Sequence, residues 1–200
     1  MPDFIYLASQ SPRRRQLLEQ IGIRHELLLP GNDEDAEGLE AVFPGESPRT
    51  YVHRVTSLKL EAAVRRLQVR GLPLAPVLCS DTTVALGRTI YGKPADEPDA
   101  VRMLSELSGT THRVLTCISL WHEGRELQAL SESRVRFSPM TVAQVNSYVA
   151  SGEPMGKAGA YAVQGRAAEY IEHISGSYTG IMGLPLFETM KLLRLVGVAA

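Results

Sequence analysis

The chain has 200 residues, 44% of them hydrophobic, and a formal net charge of −1. That length suits one large domain or two small lobes around a real core, and the near-neutral balance excludes a general nucleic-acid coat. No run approaches the roughly 20 apolar residues that span a bilayer, and the first residues lack a cationic segment leading into a long apolar one, so neither a membrane nor a secretory role is expected.

Residues 4–8 read as a buried strand that stops at Ser9. Ser11 and Pro12 give a cap-plus-proline start, and Leu17, Leu18 and Ile21 form a helical apolar face ending at Gly22. A second strand follows at 25–29. Residues 30–46 are acidic, contain Gly and Pro and show no period, which predicts a long loop. Ser47-Pro48 repeats the start signal and opens a helix to about Arg70. Beyond Pro73 and Pro76 comes a strand at 77–86, with a hairpin return over GRTIYGKP at 87–94. A helix at 99–107 closes at Ser108-Gly109. Two long runs rich in β-branched residues, 111–121 and 126–137, are joined by HEGR and read as an antiparallel pair. Residues 141–150 form a helix with Thr141 as cap. KAGAYAVQG at 157–165 is too rich in Gly and Ala for a helix and reads as backbone brought close to something. A short strand at 170–174 and a closing helix at 185–196 complete the chain. The pattern is α/β with a mixed sheet, arranged as two lobes around a central cleft, without internal repeats. Cys79 and Cys117 have no CxxC spacing and read as buried thiols of a reduced, cytoplasmic protein.

Three features carry chemistry. Arg13, Arg14 and Arg15 stand at a helix start, where the macrodipole disfavours cations. Either an anion binds there, against free N–H groups, guanidinium forks and the hydroxyls of Ser9 and Ser11, or the arginines form a solvated basic face. Asp81 lies in an otherwise apolar and β-branched strand, where a carboxylate is costly unless it is paired, metal-bound or facing a cleft. A structural Asp at a strand bend is the plainer reading. Asp33, Glu34 and Asp35 form an acidic loop, usually solvated, though hard cations need such oxygens. Lys59 follows Leu58 on a helix and has the option of snorkelling, Lys93 sits on a rigid Gly-Lys-Pro turn, and Gln164 offers an amide able to read a base edge. The five histidines are scattered without zinc-ligand spacing. No Walker A, GxGxxG or GxSxG sequence is present.

Together these pieces resemble one family. YLASQSPRRRQLL is similar to LASxSPRRxxLL, the opening signature of the Maf nucleotide pyrophosphatases. The likeness continues in order through Asp33-Glu34, Lys59, SDTTV with GKP, KAGAYAVQG, and GSYTGIMGLPL at 176–186. The resemblance implies a single domain over residues 1–200, two lobes around a cleft, similar to the inosine triphosphate pyrophosphatases and commonly a homodimer. It implies hydrolysis of a nucleoside triphosphate to the monophosphate and pyrophosphate with a divalent metal cation, Mg²⁺ or Mn²⁺. The family's subgroup acting on dTTP and UTP carries Thr after the catalytic Asp and Gln in GAYxxQG, as Thr82 and Gln164 do here. A sister subgroup acting on 7-methylguanosine triphosphate has SDQV and a Ser-Glu-Gly stretch instead.

Carried over to this sequence, the resemblance makes Asp81 the catalytic group, as general base, metal ligand or both, with Glu34 as a second metal ligand. Ser9, Arg13, Arg14, Lys59 and Lys93 would bind phosphate, and Arg13, Thr82 and Gln164 would set specificity for dTTP, UTP or modified pyrimidine nucleotides. Arg15 is expected to face solvent. Gln10 and Arg15 depart from the family pattern without removing a site residue. A competing reading is a non-catalytic nucleotide-binding regulator of cell division and septum formation, which would use the same pocket without needing Asp81. Nucleic acid and membrane are not expected partners.

Overall fold

The computed structural model describes residues 3–31, 34 and 38–198. The chain opens with β1 (Ile5–Leu7), α1 (Pro12–Gln20) and β2 (His25–Leu27), and β2 lies parallel beside β1. β1 is covered on both faces. Ile5 and Leu7 pack with Leu17 and Leu18 of α1, while Tyr6 packs with Leu60, Ala63 and Leu67 of α2 (Pro48–Val69). A strand buried on both faces has no polar side to alternate, which accounts for its unbroken apolar run. Ser47 starts α2 by accepting from the Thr50 N–H at 3.1 Å, and Pro48 occupies the first turn, where its missing N–H costs nothing.

From α2 the chain returns to β3 (Val77–Leu86), parallel to β1 on the side away from β2. It therefore runs outward from β1 to β2 and then back across to β3. Ligand crevices in open α/β sheets form at such a reversal, outside the carboxyl ends of the strands.

Beyond β3 every pairing is antiparallel. β4 (Thr89–Tyr91) folds back on the end of β3, and α3 (Glu97–Leu107) follows. β5 (Thr111–His122) and β6 (Arg125–Phe137) form a long hairpin, with β5 beside β3. Its turn residues Glu123 and Gly124 both have positive φ, 47° and 77°, which suits a two-residue connection between right-twisted strands. α4 (Val142–Val149) begins with a capping box between Thr141 and Gln144. β7 (Ile171–Ser175), α5 (Tyr178–Met182) and α6 (Leu186–Leu195) complete the chain. Among the described residues the sheet has seven strands, in the order β2-β1-β3-β5-β6-β7 with β4 on β3.

This is the expected α/β architecture with a mixed sheet, and the expected elements differ mainly at their ends. α3 starts at Glu97 rather than 99, because Asp96 accepts from the Asp99 N–H at 2.8 Å and so caps the helix earlier. The 30–46 loop contains a 3₁₀ turn at Gly38–Glu40. α5 has no counterpart in the sequence reading, being too short to show a period. The stretch 157–165 does run close to its neighbours: a Cβ at Gly159 would come within 2.9 Å of the Val84 side chain. Cys79 and Cys117 are buried free thiols, as expected, and burial pushes both up to about 12. No helix among the described residues is long and apolar enough to cross a membrane.

Candidate active site

β1 pairs with β3 at Val77 and Leu78, and β4 joins only from Val84 onward. Between those points β3 has no strand on that edge, and Asp81 sits in the middle of the gap. The gap is the floor of a cavity of about 890 Å³. Ser9, Arg13, Arg14, Glu34, Lys59, Asp81, Thr82 and Lys93 all line it. Eight of the nine sequence candidates thus converge from five separate segments. Gln164 is the exception: it is exposed, and the wall is formed by its neighbour Val163.

Successive residues of a strand point to opposite faces, so Asp81 turns toward α2 and Thr82 toward α1 and α5. Asp81 is 6% exposed and accepts from Lys59 Nζ at 2.5 Å and from Thr83 Oγ1 at 3.4 Å. Lys59 also donates to Glu40 Oε1 at 2.7 Å, and Lys93 donates to the same Glu40 carboxylate at 2.9 and 3.2 Å. The Tyr51 hydroxyl donates to the Glu40 carbonyl at 2.9 Å and holds the 3₁₀ turn in place. Burial works against the charge on Lys59, but Asp81 and Glu40 outweigh it and hold the ammonium above the ordinary lysine range. Glu40 behaves conversely: burial opposes its ionisation, and Lys59 and Lys93 still carry it below the usual range. Lys59 is therefore an inward ion-pair partner rather than a snorkelling surface residue.

The opposite face is built of hydroxyls, carbonyls and one arginine. Arg14 donates from Nε to the Gly183 carbonyl at 2.8 Å, from Nη1 to Ser9 Oγ at 3.2 Å and from Nη2 to Thr82 Oγ1 at 3.3 Å. Ser80 donates to the same Gly183 carbonyl at 2.9 Å. Thr116 donates to the Gly180 carbonyl at 2.7 Å, so in its 3.0 Å contact with Thr82 it is the acceptor and Thr82 the donor. Gly183 ends α5 with φ +116°, and a Cβ there would come 3.3 Å from Arg14 Nε. Burial draws the Arg14 guanidinium below the ordinary arginine range, with Asp81 pulling the other way.

Arg13 differs from its neighbour. It is half-buried in the cavity wall and makes no hydrogen bond or ion pair among the described residues. Arg15 points away and pairs with Glu19 at 3.5 Å, in keeping with the expected solvent orientation. Ser11 provides no side-chain cap, and the N–H groups of Arg13 and Arg14 have no acceptor among the described residues. An uncapped helix start beside a free guanidinium is a site for an anion.

Glu34 lies elsewhere in the cavity wall. Arg66 donates to its two carboxylate oxygens at 2.8 and 2.6 Å and also to the Leu28 carbonyl at 2.8 Å. The Arg66 hydrogen bonds hold Glu34 down to about 2. Asp33 and Asp35 lie outside the described residues. Among those described, no group of three or more His, Cys, Asp and Glu is placed to hold a metal ion. Asp81 and Glu40, joined through Lys59, form an acidic pair of the kind that holds a hard cation together with substrate phosphates, since Mg²⁺ takes one or two carboxylates in that mode. Lys59 donates to both carboxylates of that pair, as Arg66 donates to both oxygens of Glu34. His112 is a core residue, with its ring 2.9 Å from the Tyr161 hydroxyl and edge-on to Phe137. Burial pulls it down to about 4, so it stays neutral.

Glu40 and Lys157 are two charged lining residues that the sequence reading missed, as it did Arg65, Arg66 and Arg70. Glu40 is one acid in an aperiodic loop and carries no local signal. Lys157 opens the KAGAYAVQG stretch, lines the cavity and donates to the Glu153 carbonyl. Burial lowers it below the ordinary lysine range, and nearby Arg13 pushes the same way.

The chain is 68% identical over 197 residues to the dTTP/UTP pyrophosphatase of Albidiferax ferrireducens, covering 98% of each. It is 66% identical over 196 residues to the dTTP/UTP pyrophosphatase of a Polaromonas species, covering 98% of this chain and 97% of that one. To the protein of the same name from Cupriavidus pinatubonensis it is 62% identical over 194 residues, covering 97% of both. Among solved structures, the Staphylococcus aureus Ham1 protein matches 66% of this chain and 71% of that one at 13% identity and a TM-score of 0.41, too loosely to carry an argument. Residues 4–196 match the model of the Maf-like protein family, and the chain belongs to that family.

Proposed function

We propose that the protein hydrolyses dTTP and UTP to the monophosphate and pyrophosphate. The observation that carries this reading is Asp81, buried at the open edge of β3 with Lys59 at 2.5 Å and facing a cavity the size of a nucleotide site. The names of the relatives at 62–68% identity favour an enzyme over a non-catalytic division regulator.

In this reading the triphosphate lies against the start of α1. The Arg13 and Arg14 N–H groups, the Arg13 guanidinium and the Ser9 hydroxyl meet its oxygens, with Lys59 and Lys93 on the other side. Asp81 takes a proton from water as the water oxygen adds to the α-phosphorus, and Lys59 holds the carboxylate in place. The bond from the α-phosphorus to the bridging oxygen breaks, and the electron pair leaves with pyrophosphate, its charge met by Arg13, Lys93 and Lys157. A divalent cation, Mg²⁺ or Mn²⁺, would be held by Asp81 and Glu40 with the substrate phosphates, and when bound would neutralise charge and make water more acidic. Arg14 acts mainly as the brace that aligns Ser9 and Thr82.

Base selection follows from hydrogen-bond capacity. Thr82 gives its proton to Thr116 and so has only acceptor capacity left. That matches the N3–H of thymine or uracil and not the bare N3 of cytosine. The family resemblance gives Gln164, one residue beyond the wall at Val163, and Arg13 a share in specificity, and the Gln164 amide is able to donate to the 4-oxo group and accept from N3–H. The same resemblance supports one catalytic domain of two lobes acting as a homodimer, and the two unpaired thiols support a reduced, cytoplasmic setting.

The test is pyrophosphate release from dTTP, UTP, CTP, dGTP, ATP and 7-methylguanosine triphosphate, with Mg²⁺ and with Mn²⁺. Turnover confined to dTTP and UTP is the expected result. Preference for the methylated purine would overturn the roles of Thr82 and Gln164, and binding without turnover would favour the regulator.

A further inference from the structure

Away from the phosphate end, one carboxylate ties down the stretch that walls the cleft. Glu153, just beyond α4, accepts at Oε1 from the Tyr148 hydroxyl at 2.7 Å and at Oε2 from the Arg166 N–H at 3.1 Å. The Tyr148 oxygen in turn accepts from the Ala162 N–H at 3.4 Å, and the Glu153 carbonyl accepts from Lys157. These bonds land at 157, 162 and 166, on both sides of Val163 and Gln164. Gly165 packs over the carboxylate so closely that a Cβ there would fall on it. Tyr148 is fully buried, so the anchor itself does not move.

We infer that Glu153 is a positioning residue for base recognition. It fixes the 162–166 backbone so that Val163 and Gln164 meet the base at a set distance, while Lys157 is held by the Glu153 backbone carbonyl, which a side-chain substitution keeps. The inference rests on the reading above for the identity of the base. The site asks for a carboxylate rather than an amide, because each oxygen receives its own donor. In Glu153→Gln the side-chain NH₂ either meets the Arg166 N–H, donor against donor, or donates to the Tyr148 oxygen and leaves the buried Tyr148 hydroxyl proton without its acceptor. Adding Tyr148→Phe removes one of those donors and leaves the glutamine oxygen for Arg166.

The experiment compares the wild type, Glu153→Gln, Tyr148→Phe and the double variant. It measures kcat and KM separately for dTTP, UTP and CTP, dissociation constants for the α,β-imido analogues of dUTP and dCTP, and thermal midpoints. Glu153→Gln is expected to lower uracil-over-cytosine discrimination about tenfold through KM and Kd, with kcat for dTTP nearly unchanged, as expected when a contact is misplaced by a fraction of an ångström. The double variant is expected to regain part of that discrimination. A lower thermal midpoint with discrimination intact in every folded variant would make Glu153 merely structural and overturn the inference. If Glu153→Gln does not fold, Tyr148→Phe decides alone, since it keeps the Arg166 bond and loses the other. Failure of the substrate reading has a different signature, namely wild-type protein that does not prefer uracil over cytosine in turnover or in analogue binding. In that case Glu153 does not select pyrimidines, and this inference falls with its premise while the variants remain well behaved.

Discussion

Asp81 and Thr82 are adjacent in sequence and share one open strand edge, yet the two faces of β3 around them are built on different principles. On the α2 face, Asp81, Lys59, Glu40 and Lys93 are held by one another's charges, and Lys93 is half exposed. Any of these partners can be exchanged for a phosphate oxygen or a cation without leaving a buried group bare. On the α1 and α5 face, Arg14, Thr82, Thr116 and the carbonyls of Gly180 and Gly183 are bonded to one another, with acceptor capacity left only at Thr82 for a substrate. Breaking any link there leaves a desolvated donor or acceptor. One face is therefore suited to turnover, the other to holding a shape. The same division separates Arg13, which makes no hydrogen bond among the described residues and feels the charge of Glu153 nearby, from Arg14, which is braced.

That division breaks down if substitutions on the two faces have the same signature. The largest effect is expected at Asp81→Asn, which keeps the shape and removes the proton acceptor; kcat should fall about 10³-fold, in the range of a lost general base, while the circular dichroism spectrum is unchanged. Next comes the arginine pair. Arg14→Gln should lower stability by about 2–3 kcal/mol, since it strips charged donors from buried acceptors, measured as a lower urea midpoint. Arg13→Gln should leave stability within about 0.5 kcal/mol and raise KM about tenfold by removing one guanidinium–phosphate contact. If Arg14→Gln instead proved as stable as wild type with only KM raised, the braced face would have been misassigned.

How far the sequence spoke for these features follows the same physics. The strands and long helices were legible because period, caps and prolines act locally: Ser47-Pro48 and Thr141 mark helix starts that the structure keeps. The convergence of Ser9, Arg13, Lys59, Asp81 and Lys93 was legible only through ordered resemblance, since no local rule brings residues 9 and 93 together. Glu40 was not legible at all, because its position depends on Tyr51 holding a turn and on lysines from two other segments. Arg14 illustrates the limit at one residue's resolution. Three arginines in a row announce cationic chemistry, but only packing against Gly183 decides which of them is a brace.

Glu34 tests a finer point, whether the acid nearest the family's acidic pair serves the cation or the fold. Glu34→Gln should cost about 2 kcal/mol by leaving the buried Arg66 underpaired, discounted from the full buried-pair value because Glu34 is partly exposed. The Arg66 hydrogen bonds lower Glu34 from 4.5 to about 2 in the folded protein, so its contribution is present above pH 4.5 and is lost as pH falls toward 2. The variant should lack that part of the acid dependence, and its half-saturating Mg²⁺ concentration should match wild type. A shift in the Mg²⁺ requirement would return Glu34 to the cation site and take that role away from Glu40.

The smallest effect belongs to the antiparallel half of the sheet, at a core residue with no bond to the charges of β3 among the described residues. His112 is 1% exposed, packed edge-on to Phe137 and Tyr161, and burial lowers it from 6.5 to about 4. The unfolded chain therefore binds a proton that the folded one refuses between those values, and stability must fall as pH drops through that window. Between pH 7 and pH 6 the loss is only about 0.7 kcal/mol, because the unfolded histidine is only partly protonated there. His112→Gln keeps a partner for the Tyr161 hydroxyl and has nothing to titrate. Urea midpoints at the two pH values should differ less in the variant than in wild type, and equal slopes would mean that His112 already carries its proton in the fold. Asp81→Asn measured alongside should leave the His112 contribution untouched, since the aromatic core and the charged face share no bonded residue.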